Sequence, residues 1–442
     1  MKDLTSGKPE IVLWKFSIPM FVSVIFQQLY NIADSVIAGK FAGEDALAAV
    51  GASYPITMIF MAIAIGSNIG SSVVISTLFG AKQYHKMKTA ISTTLLSAAV
   101  LSVLLTIGGL FGTSGLMKMI RTPENIFSDG ALYLRIYIGG FLFLFLYNVC
   151  TGVFTSLGDS KTPLYFLIGS SIGNIVLDYI FVADFKWGVA GVAWATFLAQ
   201  GVACVLALIT LLKRIQKIQT KEKREWFSGK MLIKIGKIAV PSILQQSFIS
   251  VGNIFIQRLI NGFGSSVIAG YSAAIKLNTF AITSFTTLSN GLSSFTAQNL
   301  GAEKPERVKK GFRAGVQMAF LVAIPFVVLF VLFPDTMLSL FLKEESQQAK
   351  EAGQEFIKII SPFYFVISVK LMADGVLRGA GAMKQFMIAT FLDLALRVIL
   401  AFILATPYGT RGIWLSWPIG WAIAAIISYV FYKKGCWDLK KK

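Results

Sequence analysis

GVFTSLGDSK at residues 152–161 and GVLRGAGAMK at residues 375–384 share a pattern of glycines, apolar residues and a final lysine, 223 positions apart. A second pair, LFGAK at 78–82 and NLGAE at 299–303, is separated by 221 positions. Two pairs at nearly the same offset indicate an internal duplication of about 220 residues. The chain therefore consists of two copies of one structural unit.

The composition is that of a membrane protein. Mean hydropathy is +0.68, and only 14% of the residues are charged, against roughly a quarter in soluble domains. Apolar runs of about 20 residues recur twelve times, and each is long enough to cross a hydrocarbon core of about 30 Å. They are too long and too uniformly apolar for barrel strands, which alternate over about ten residues. We therefore predict an all-α integral membrane protein with twelve transmembrane helices.

Each copy is predicted to form a lobe of six spans. The N-terminal lobe covers 1–212, a cytoplasmic connector covers 213–233, and the C-terminal lobe covers 234–442. Because each copy has an even number of spans, both enter the membrane in the same orientation, and a pseudo-two-fold axis along the membrane normal should relate them. The predicted spans lie at about 12–39, 47–79, 89–112, 131–157, 163–184, 188–212, 234–262, 267–299, 312–334, 356–380, 386–406 and 412–432.

The net charge of +19, from 41 Lys and Arg against 22 Asp and Glu, follows this topology. Nine basic residues lie between Lys213 and Lys237, and others lie at both chain ends and in the loops after the second and eighth spans. These are all even-numbered gaps, whereas the odd-numbered loops are acidic or poorer in basic residues. The positive-inside rule therefore predicts a multi-pass protein of the cell membrane with both termini in the cytoplasm. Basic residues distributed in this way argue against nucleic acid as a partner.

The sequence lacks the motifs of soluble enzymes. It has no GxxxxGK[ST] phosphate-binding loop, and its single histidine, His85, lies in a basic loop, which excludes HExxH zinc sites and histidine-based triads. Cys150, Cys204 and Cys436 are far apart, so they predict neither a disulfide framework nor a metal cluster. We expect no enzymatic activity, no cofactor and no structural metal.

A polar stripe marks the first span. Gln27, Tyr30, Asn31 and Asp34 follow the spacing i, i+3, i+4 and i+7 on an otherwise apolar helix. Ionisable side chains at membrane depth are costly and mark functional sites by default. We interpret Asp34 as part of an ion site and the other three as candidate substrate contacts. Asn148, in LYNVCTG of the fourth span, is a further candidate of that kind.

Three polar residues of the fifth and sixth spans are expected at the depth of Asp34. Asn174 and Asp178 are one turn apart on one helix face, and Thr196 is polar within VAWATFLAQ. With a rise of about 1.5 Å per residue, Asp34, Asp178 and Thr196 all fall in the outer half of the membrane. Two carboxylates, an amide and a hydroxyl could then converge.

Two buried carboxylates close together do not both stay ionised without a cation. Either one takes a proton, or a metal ion such as Na⁺ lies between Asp34 and Asp178. Loading such a site can change the balance between outward- and inward-facing states. The alternative is that both acids only hydrogen-bond helices together, but the cost of acids inside a membrane favours the ion site.

The second copy carries different charges. Its seventh span contains no acid, Lys276 lies in the eighth, and two pairs of opposite charge are spaced i, i+4. These pairs are Lys370 with Asp374 in the tenth span and Asp393 with Arg397 in the eleventh. Opposite charges one turn apart mostly neutralise each other. We interpret all five residues as structural or gating charges rather than as a second coupling site.

A proline lies inside the first span of each copy, at Pro19 and Pro241. Because proline lacks a backbone N–H and its ring clashes with the preceding turn, each should bend its helix. The bend is either fixed, which is the commoner case in membrane helices, or a hinge.

Several segments, taken in order, resemble multidrug and toxic compound extrusion (MATE) transporters. They are QQLYNIADSVIAGKFAGEDALAAVGASYPI, the LFGAK loop, the GVFTSLGDSKTP turn, GNIVLDYIF and KWGVAGVAWAT. The similarity extends in order over nearly the whole chain. The resemblance implies two six-helix lobes and export of organic cations in exchange for H⁺ or Na⁺. It also implies a cation site at Asp34, Asn174, Asp178 and Thr196 and a drug contact at Gln27. Acids that branches of the family carry in the seventh and tenth spans have no counterpart here, so we expect the cation site in the first lobe.

We therefore expect a secondary active exporter of organic cationic or zwitterionic compounds, coupled to H⁺ or Na⁺. Its expected partners are the lipid bilayer and these compounds, and its expected state is a monomer. A flippase for lipid-linked oligosaccharides remains an alternative, because Lys276, Lys370 and Arg397 could attract phosphate-bearing lipids; the acids of the first lobe argue against it. A membrane-embedded enzyme is disfavoured by the missing catalytic motifs.

Overall fold

The computed structural model contains helices and no β-strand in the residues it describes. These are residues 3–37, 41–42, 44–120, 122–220, 225–342 and 346–438. The α-helices in chain order are α1 (Pro9–Ile37), α2 (Glu44–Gly80), α3 (Tyr84–Met119), α4 (Glu124–Gly139), α5 (Phe141–Ser156), α6 (Lys161–Asp178), α7 (Gly188–Gln216), α8 (Gly229–Ile260), α9 (Ser265–Gly301), α10 (Pro305–Leu332), α11 (Pro334–Leu338), α12 (Gln347–Ile360), α13 (Tyr364–Gly379) and α14 (Met383–Lys433).

The described helices account for the twelve predicted spans. Nine segments are long and apolar enough to cross a membrane, namely α1, α2, α3, α6, α7, α8, α10, α12 with α13, and α14. The pair α4 and α5, bent by 48°, forms a tenth. Helix α14 contains two spans, because Gly409 in its middle adopts φ 58° and ψ −138°. Helix α9 is the remaining span, 37 residues long and rich in serine and threonine.

Two spans begin earlier than the hydropathy pattern predicts. The fourth is predicted at 131–157, but it begins with α4 and breaks at Gly140, where two adjacent glycines weaken the helix. The tenth is predicted at 356–380, but it begins with α12, whose first turns are polar. It breaks in a short 3₁₀ segment around Pro362, because proline cannot donate the intrahelical hydrogen bond.

The described chain forms two compact units. Unit 1 is built on Val22–Leu244, and unit 2 comprises Leu4–Phe21 together with the described residues from Gln245 on. The first half of α1 is therefore part of unit 2, and the first half of α8 is part of unit 1. The chain passes from one unit to the other shortly after Pro19 and again shortly after Pro241.

The packing of these units differs from the predicted division of the sequence. The predicted lobes at 1–212 and 234–442 follow the repeat, whereas the units exchange the first halves of α1 and α8. The lobe boundaries and the cytoplasmic connector at 213–233 stay a prediction. Residues 221–224 of that connector lie outside the described residues.

Small residues let the exchanged helix halves pack closely. In unit 1, a Cβ on Gly70 of α2 would lie 2.7 Å from the backbone nitrogen of Ala239 in α8. In unit 2, a Cβ on Gly291 of α9 would lie 2.8 Å from the Oγ of Ser17 in α1. Gly70 and Gly291 are 221 positions apart, so the duplication extends to this packing.

The two stretches that reveal the duplication also pack in the same way. Ser72 Oγ of α2 donates to the carbonyl oxygen of Gly152 in α5 at 3.1 Å. At the matching repeat position, a Cβ on Gly375 of α13 would lie 2.7 Å from the carbonyl oxygen of Ser289 in α9. Each glycine allows a neighbouring helix to approach its backbone.

Candidate functional site

Two carboxyl groups face each other inside unit 1. Asp34 lies near the C-terminal end of α1, and Asp178 is the last residue of α6. The two side chains are within hydrogen-bonding reach of each other. Asp178 is 0% exposed, and Asp34 is half-buried. The structure thus brings together the two acids on which the predicted ion site depends.

Helix α6 changes form directly after Asp178. The segment Tyr179–Asp184 is π-helical, and the N–H of Phe185 donates to the carbonyl oxygen of Ile180 at 2.9 Å. Such segments are rare and occur frequently at functional sites. The second carboxylate therefore lies at an irregularity of the helix rather than within a regular turn.

The other end of α6 is fixed by Asp159, in the repeated stretch at 152–161. Its Oδ1 accepts the backbone N–H of Thr162 at 3.1 Å, and its Oδ2 accepts the hydroxyl of Thr162 at 2.7 Å. The same Oδ2 forms an ion pair with Arg214 of α7. Because Arg214 and Thr196 lie on the same helix, this contact sets α6 and its Asp178 relative to Thr196.

Asn174 holds one oxygen of Asp178. Its Nδ2 donates to Asp178 Oδ2 at 3.1 Å, one turn along α6. The Oδ1 atoms of Asp34 and Asp178 are buried without a hydrogen-bond donor in the described part of the chain. Buried acceptors without a partner are costly. A proton or a small cation that prefers oxygen ligands would satisfy both atoms, so the residues present fit the implied coupling ion.

Tyr30 and Thr196 complete the polar surroundings of the two acids. Their hydroxyl groups are within hydrogen-bonding reach of each other, and Tyr30 lies beside both Asp34 and Asp178. Our interpretation of the sequence assigns Tyr30 to substrate contact, whereas the structure places it against the acids. Tyr133 of α4 also lies beside both acids, and it is not among the site residues predicted from the sequence.

A pocket opens next to these residues, between α4, α5 and α7. Its lining comprises Tyr133, Ile136, Tyr137, Gly140, Leu144, Ala193, Thr196, Phe197 and Gln200. The rings of Tyr133 and Tyr137 stack with centroids 6.3 Å apart, and Gln200 Oε1 is buried without a hydrogen-bond partner in the described residues. Both Tyr133 with Tyr137 and Thr196 with Gln200 are spaced i, i+4. That spacing is the signal from which the sequence could have predicted them.

The other predicted substrate residues are not in the contacts described for this pocket. Gln27 and Asn31 are exposed on α1. Asn148 Nδ2 donates to the carbonyl oxygen of Leu144, one turn back in its own helix, at 2.8 Å. Their assignment to substrate binding stays a prediction.

Unit 2 places a lysine between two carboxylates. Lys370 Nζ of α13 lies 3.0 Å from Asp374 Oδ2 and 3.7 Å from Asp393 Oδ2 of α14. Asp374 Oδ1 accepts the hydroxyl of Ser428 at 2.7 Å. All three charged residues are buried. The i, i+4 pair of Lys370 with Asp374 therefore has a third member from the neighbouring helix.

Asp393 and Arg397 interact electrostatically, as their i, i+4 spacing predicts, but they do not form an ion pair within 4.0 Å. Among the described residues Asp393 pairs with Lys370, and the guanidinium of Arg397 lies over the ring of Trp417, 4.3 Å from its centroid. The ion pair of Asp393 therefore runs across helices, to Lys370 of α13, rather than along α14 to Arg397, because the buried Lys370 ammonium is closer to the carboxylate. Lys276 is exposed, and its Nζ lies 5.4 Å from the ring centroid of Phe341.

The two units therefore offer different chemistry. In the described residues neither Asp34 nor Asp178 forms an ion pair, and no group of three or more His, Cys, Asp or Glu side chains is arranged to hold a metal ion. The unit 1 site offers two carboxyls together with neutral amide and hydroxyl oxygens. Such a site can take up and release one small cation, whereas the acids of unit 2 already have a fixed ammonium.

Comparisons with known proteins agree with this architecture. The MatE family model matches residues 19–180 and again residues 241–403, one match in each copy. The probable multidrug resistance protein YoeA of Bacillus subtilis (strain 168) is 27% identical over 97% of this chain and 96% of its own length. YpnP of the same organism, also named a probable multidrug resistance protein, is 27% identical over 99% of this chain and 98% of its own length.

A solved structure of a MOP superfamily transporter from Pyrococcus furiosus matches with a TM-score of 0.93 and 25% sequence identity, covering 100% of this chain and 98% of that one. The predicted fold of twelve helices in two lobes is thereby confirmed as the fold of MATE transporters. Both family matches fall on the duplicated halves and together cover most of the chain. The chain belongs to the MATE family of membrane transporters.

Proposed function

We propose that this protein is a secondary active multidrug exporter that exchanges organic cationic or zwitterionic compounds for H⁺ or Na⁺ held by Asp34 and Asp178. The observation that carries the proposal is the contact between these two carboxyls, each with one buried oxygen that lacks a donor in the described residues. The names of the relatives, probable multidrug resistance proteins, support efflux as the activity.

The residues around the acids have complementary tasks in this proposal. Asn174 orients one oxygen of Asp178, while the hydroxyls of Tyr30 and Thr196 provide neutral oxygens beside the incoming ion. Loading the site removes negative charge from a buried position. A change of that kind can shift the balance between outward- and inward-facing states only because the ion binds the two states with different affinity.

The flippase alternative finds less support. It needs Lys276, Lys370 and Arg397 to attract a lipid phosphate, but Lys370 is engaged by two carboxylates. The remaining parts of the proposal follow from the sequence alone. They are a monomer in the cell membrane, both termini in the cytoplasm, and lobes at 1–212 and 234–442 joined by a cytoplasmic connector.

The test compares Asp34→Asn with Asp129→Asn in proteoliposomes that carry an imposed H⁺ or Na⁺ gradient. Asp129 is an exposed acid of α4 in the same unit and serves as the matched control. We expect Asp34→Asn to lose gradient-driven efflux of a fluorescent organic cation by about 100-fold or more, since an ionisable group at membrane depth is rarely dispensable. Asp129→Asn should keep it.

Removing Na⁺ at fixed pH, and then varying pH without Na⁺, identifies the coupling ion. Efflux in the Asp34→Asn variant equal to that of the unaltered protein would refute the proposal. Efflux of a phosphate-bearing lipid, but of no organic cation, would support the flippase instead.

A further inference from the structure

Arg397 is a buried cation of unit 2 that has no ion-pair partner within 4.0 Å among the described residues, although Asp393, one turn along α14, attracts it. It lies on α14, is 6% exposed, and makes no ion pair within the described part of the chain. Its Nε and Nη2 atoms are buried and have no hydrogen-bond acceptor among the described residues. Arginine stays protonated in proteins, so a full positive charge is held here in a poorly solvated position.

The ring of Trp417 compensates only part of this charge. The guanidinium carbon lies 4.3 Å from the ring centroid, close enough for a cation–π interaction. The N–H groups of a guanidinium lie in its own plane, however, so the ring does not accept the hydrogens on Nε and Nη2. Two buried donors remain, and leaving such donors unsatisfied is costly.

The charges of unit 2 do not balance without a further anion. Apart from Lys350, which pairs with Asp335 of α11 at 3.6 Å, its buried cations are Lys370, Arg378 and Arg397, and its buried carboxylates are Asp374 and Asp393. Lys370 already engages both carboxylates, and Arg378 Nη2 donates to Asn290 Oδ1 at 2.6 Å. The described residues of α8, α9 and α12 add no buried acid, so one positive charge is left over.

A glycine faces the unsatisfied edge of Arg397. A Cβ on Gly252 of α8 would lie 4.0 Å from Arg397 Nη2, so the absence of a side chain at this position keeps α8 from crowding the guanidinium. The indole Nε1 of Trp417, which can only donate, is also buried without an acceptor in the described chain. Three N–H donors thus lie on Arg397 and the ring in contact with it.

We propose that Arg397 binds a small monovalent anion through Nε and Nη2, either chloride or a small carboxylate such as acetate. The side edge of a guanidinium matches the two oxygens of a carboxylate, and a halide accepts from the same pair of donors. The anion neutralises the charge that the two aspartates leave over. This site is separate from the ion site of unit 1 and does not depend on the proposed export activity.

The test measures the thermal unfolding of the purified full chain while chloride or acetate replaces sulfate at constant ionic strength. Binding to the folded state alone raises Tm in a saturable way. We expect this rise in the unaltered protein and at least a tenfold weaker apparent affinity in Arg397→Gln. Arg411→Gln is the matched control, since Arg411 lies on the same helix but is exposed and paired with Glu355 at 3.0 Å.

Further variants separate the two sources of the anion. Arg397→Lys keeps the positive charge but lacks the paired donors on Nε and Nη2. Chloride should therefore still raise Tm in this variant, whereas acetate should not. An acetate effect in the unaltered protein that exceeds the chloride effect identifies a carboxylate ligand, and the reverse identifies a halide. The same concentration dependence in Arg397→Gln as in the unaltered protein would overturn the proposal.

If Arg397→Gln does not fold, the proposal can still be tested on the unaltered protein. Crystals grown in bromide should contain an anomalous peak within hydrogen-bonding distance of Arg397 Nε and Nη2. Trp417→Phe, which keeps the aromatic face and removes one donor, should bind chloride about threefold to tenfold more weakly. Neither a bromide peak at Arg397 nor any saturable effect of chloride or acetate would end the proposal.

Discussion

The two copies of one ancestral unit treat buried carboxylates in opposite ways. In unit 1, Asp34 and Asp178 face each other without a described cationic side chain. In unit 2, Lys370 lies within 4 Å of both Asp374 and Asp393. The position of Asn174 in the first copy is taken by Arg397 in the second, 223 residues later.

After a duplication, the same arrangement of helices can support two kinds of buried carboxylate. One helical frame can hold acids that need an ion from outside, or acids neutralised by an ammonium that the chain itself supplies. A tethered ammonium cannot leave, so unit 2 is suited to a constant structure, whereas unit 1 is suited to exchange. The following predictions test this contrast between the two units.

The largest effect is expected from Lys370→Met, which leaves two buried carboxylates without their cation. Breaking a buried ion pair by removing one partner costs about 3–5 kcal/mol, and a loss of this size should appear in thermal unfolding of the purified protein. Asp178→Asn, the contrasting change in unit 1, removes a charge that forms no ion pair in the described residues and keeps an acceptor oxygen for Asn174 Nδ2, so stability should change by less than about 1 kcal/mol.

A triple variant serves as the control for this comparison. Lys370→Met combined with Asp374→Asn and Asp393→Asn removes all three charges together, and it should recover most of the lost stability. If Lys370→Met unfolds at the same temperature as the unaltered protein, the distinction between the two units fails.

The next effect concerns the packing of the exchanged helix halves. Gly70→Ala places a methyl group 2.7 Å from a backbone nitrogen of α8, and backbone cannot move cheaply, so we expect a loss of about 1–3 kcal/mol in the free energy of unfolding. Gly291→Ala meets the Oγ of Ser17, which can rotate away. The better helix propensity of alanine then offsets the strain, by about 0.5–1 kcal/mol.

Denaturation of both variants under one condition measures this difference. An equal loss in Gly70→Ala and Gly291→Ala would mean that backbone contact does not distinguish the two units. A larger loss in Gly291→Ala would contradict the packing described for unit 2.

The smallest effect is expected from Tyr30→Phe. It removes the hydroxyl that bonds to Thr196 beside the acids, and one hydrogen bond of this kind contributes about 0.5–1.5 kcal/mol. We expect the apparent affinity for the proposed coupling ion to fall by about twofold to tenfold, with folding unaffected. Tyr165→Phe, an exposed tyrosine of α6, is the matched control, and an equal change in both variants would place Tyr30 outside the ion site.

Most of what could be predicted from the sequence depends on the spacing of residues along single helices. The twelve spans follow from apolar length, and the shared face of Asn174 and Asp178 follows from the helical repeat, as their hydrogen bond at 3.1 Å bears out. The contact of Asp34 with Asp178 could be expected from depth, because a helix rises by a fixed distance per residue. Each inference uses a property of one helix at a time.

Contacts between residues of different helices could not be predicted in this way. Asp393 has a cation one turn along its own helix, yet it pairs with Lys370 of α13, since burial and proximity decide between two equal charges. Tyr133 carries no charge and lies on a different helix. Its i, i+4 spacing with Tyr137 indicates a shared helix face, but it does not indicate contact with the acids of α1 and α6. The exchange of helix halves escaped prediction because apolar runs do not specify which neighbour they pack against.

That exchange has a consequence for how the chain is made. A ribosome adds about 5–20 residues per second, and some 270 residues separate Phe21 from Gly291, so the first half of α1 waits roughly 15 to 50 s before its packing partner in α9 exists. Unit 1 in turn stays incomplete until Leu244 has been inserted, well past the end of its own copy. Cutting the gene at the connector would therefore give two products that each lack one helix half, and neither could assemble before meeting the other.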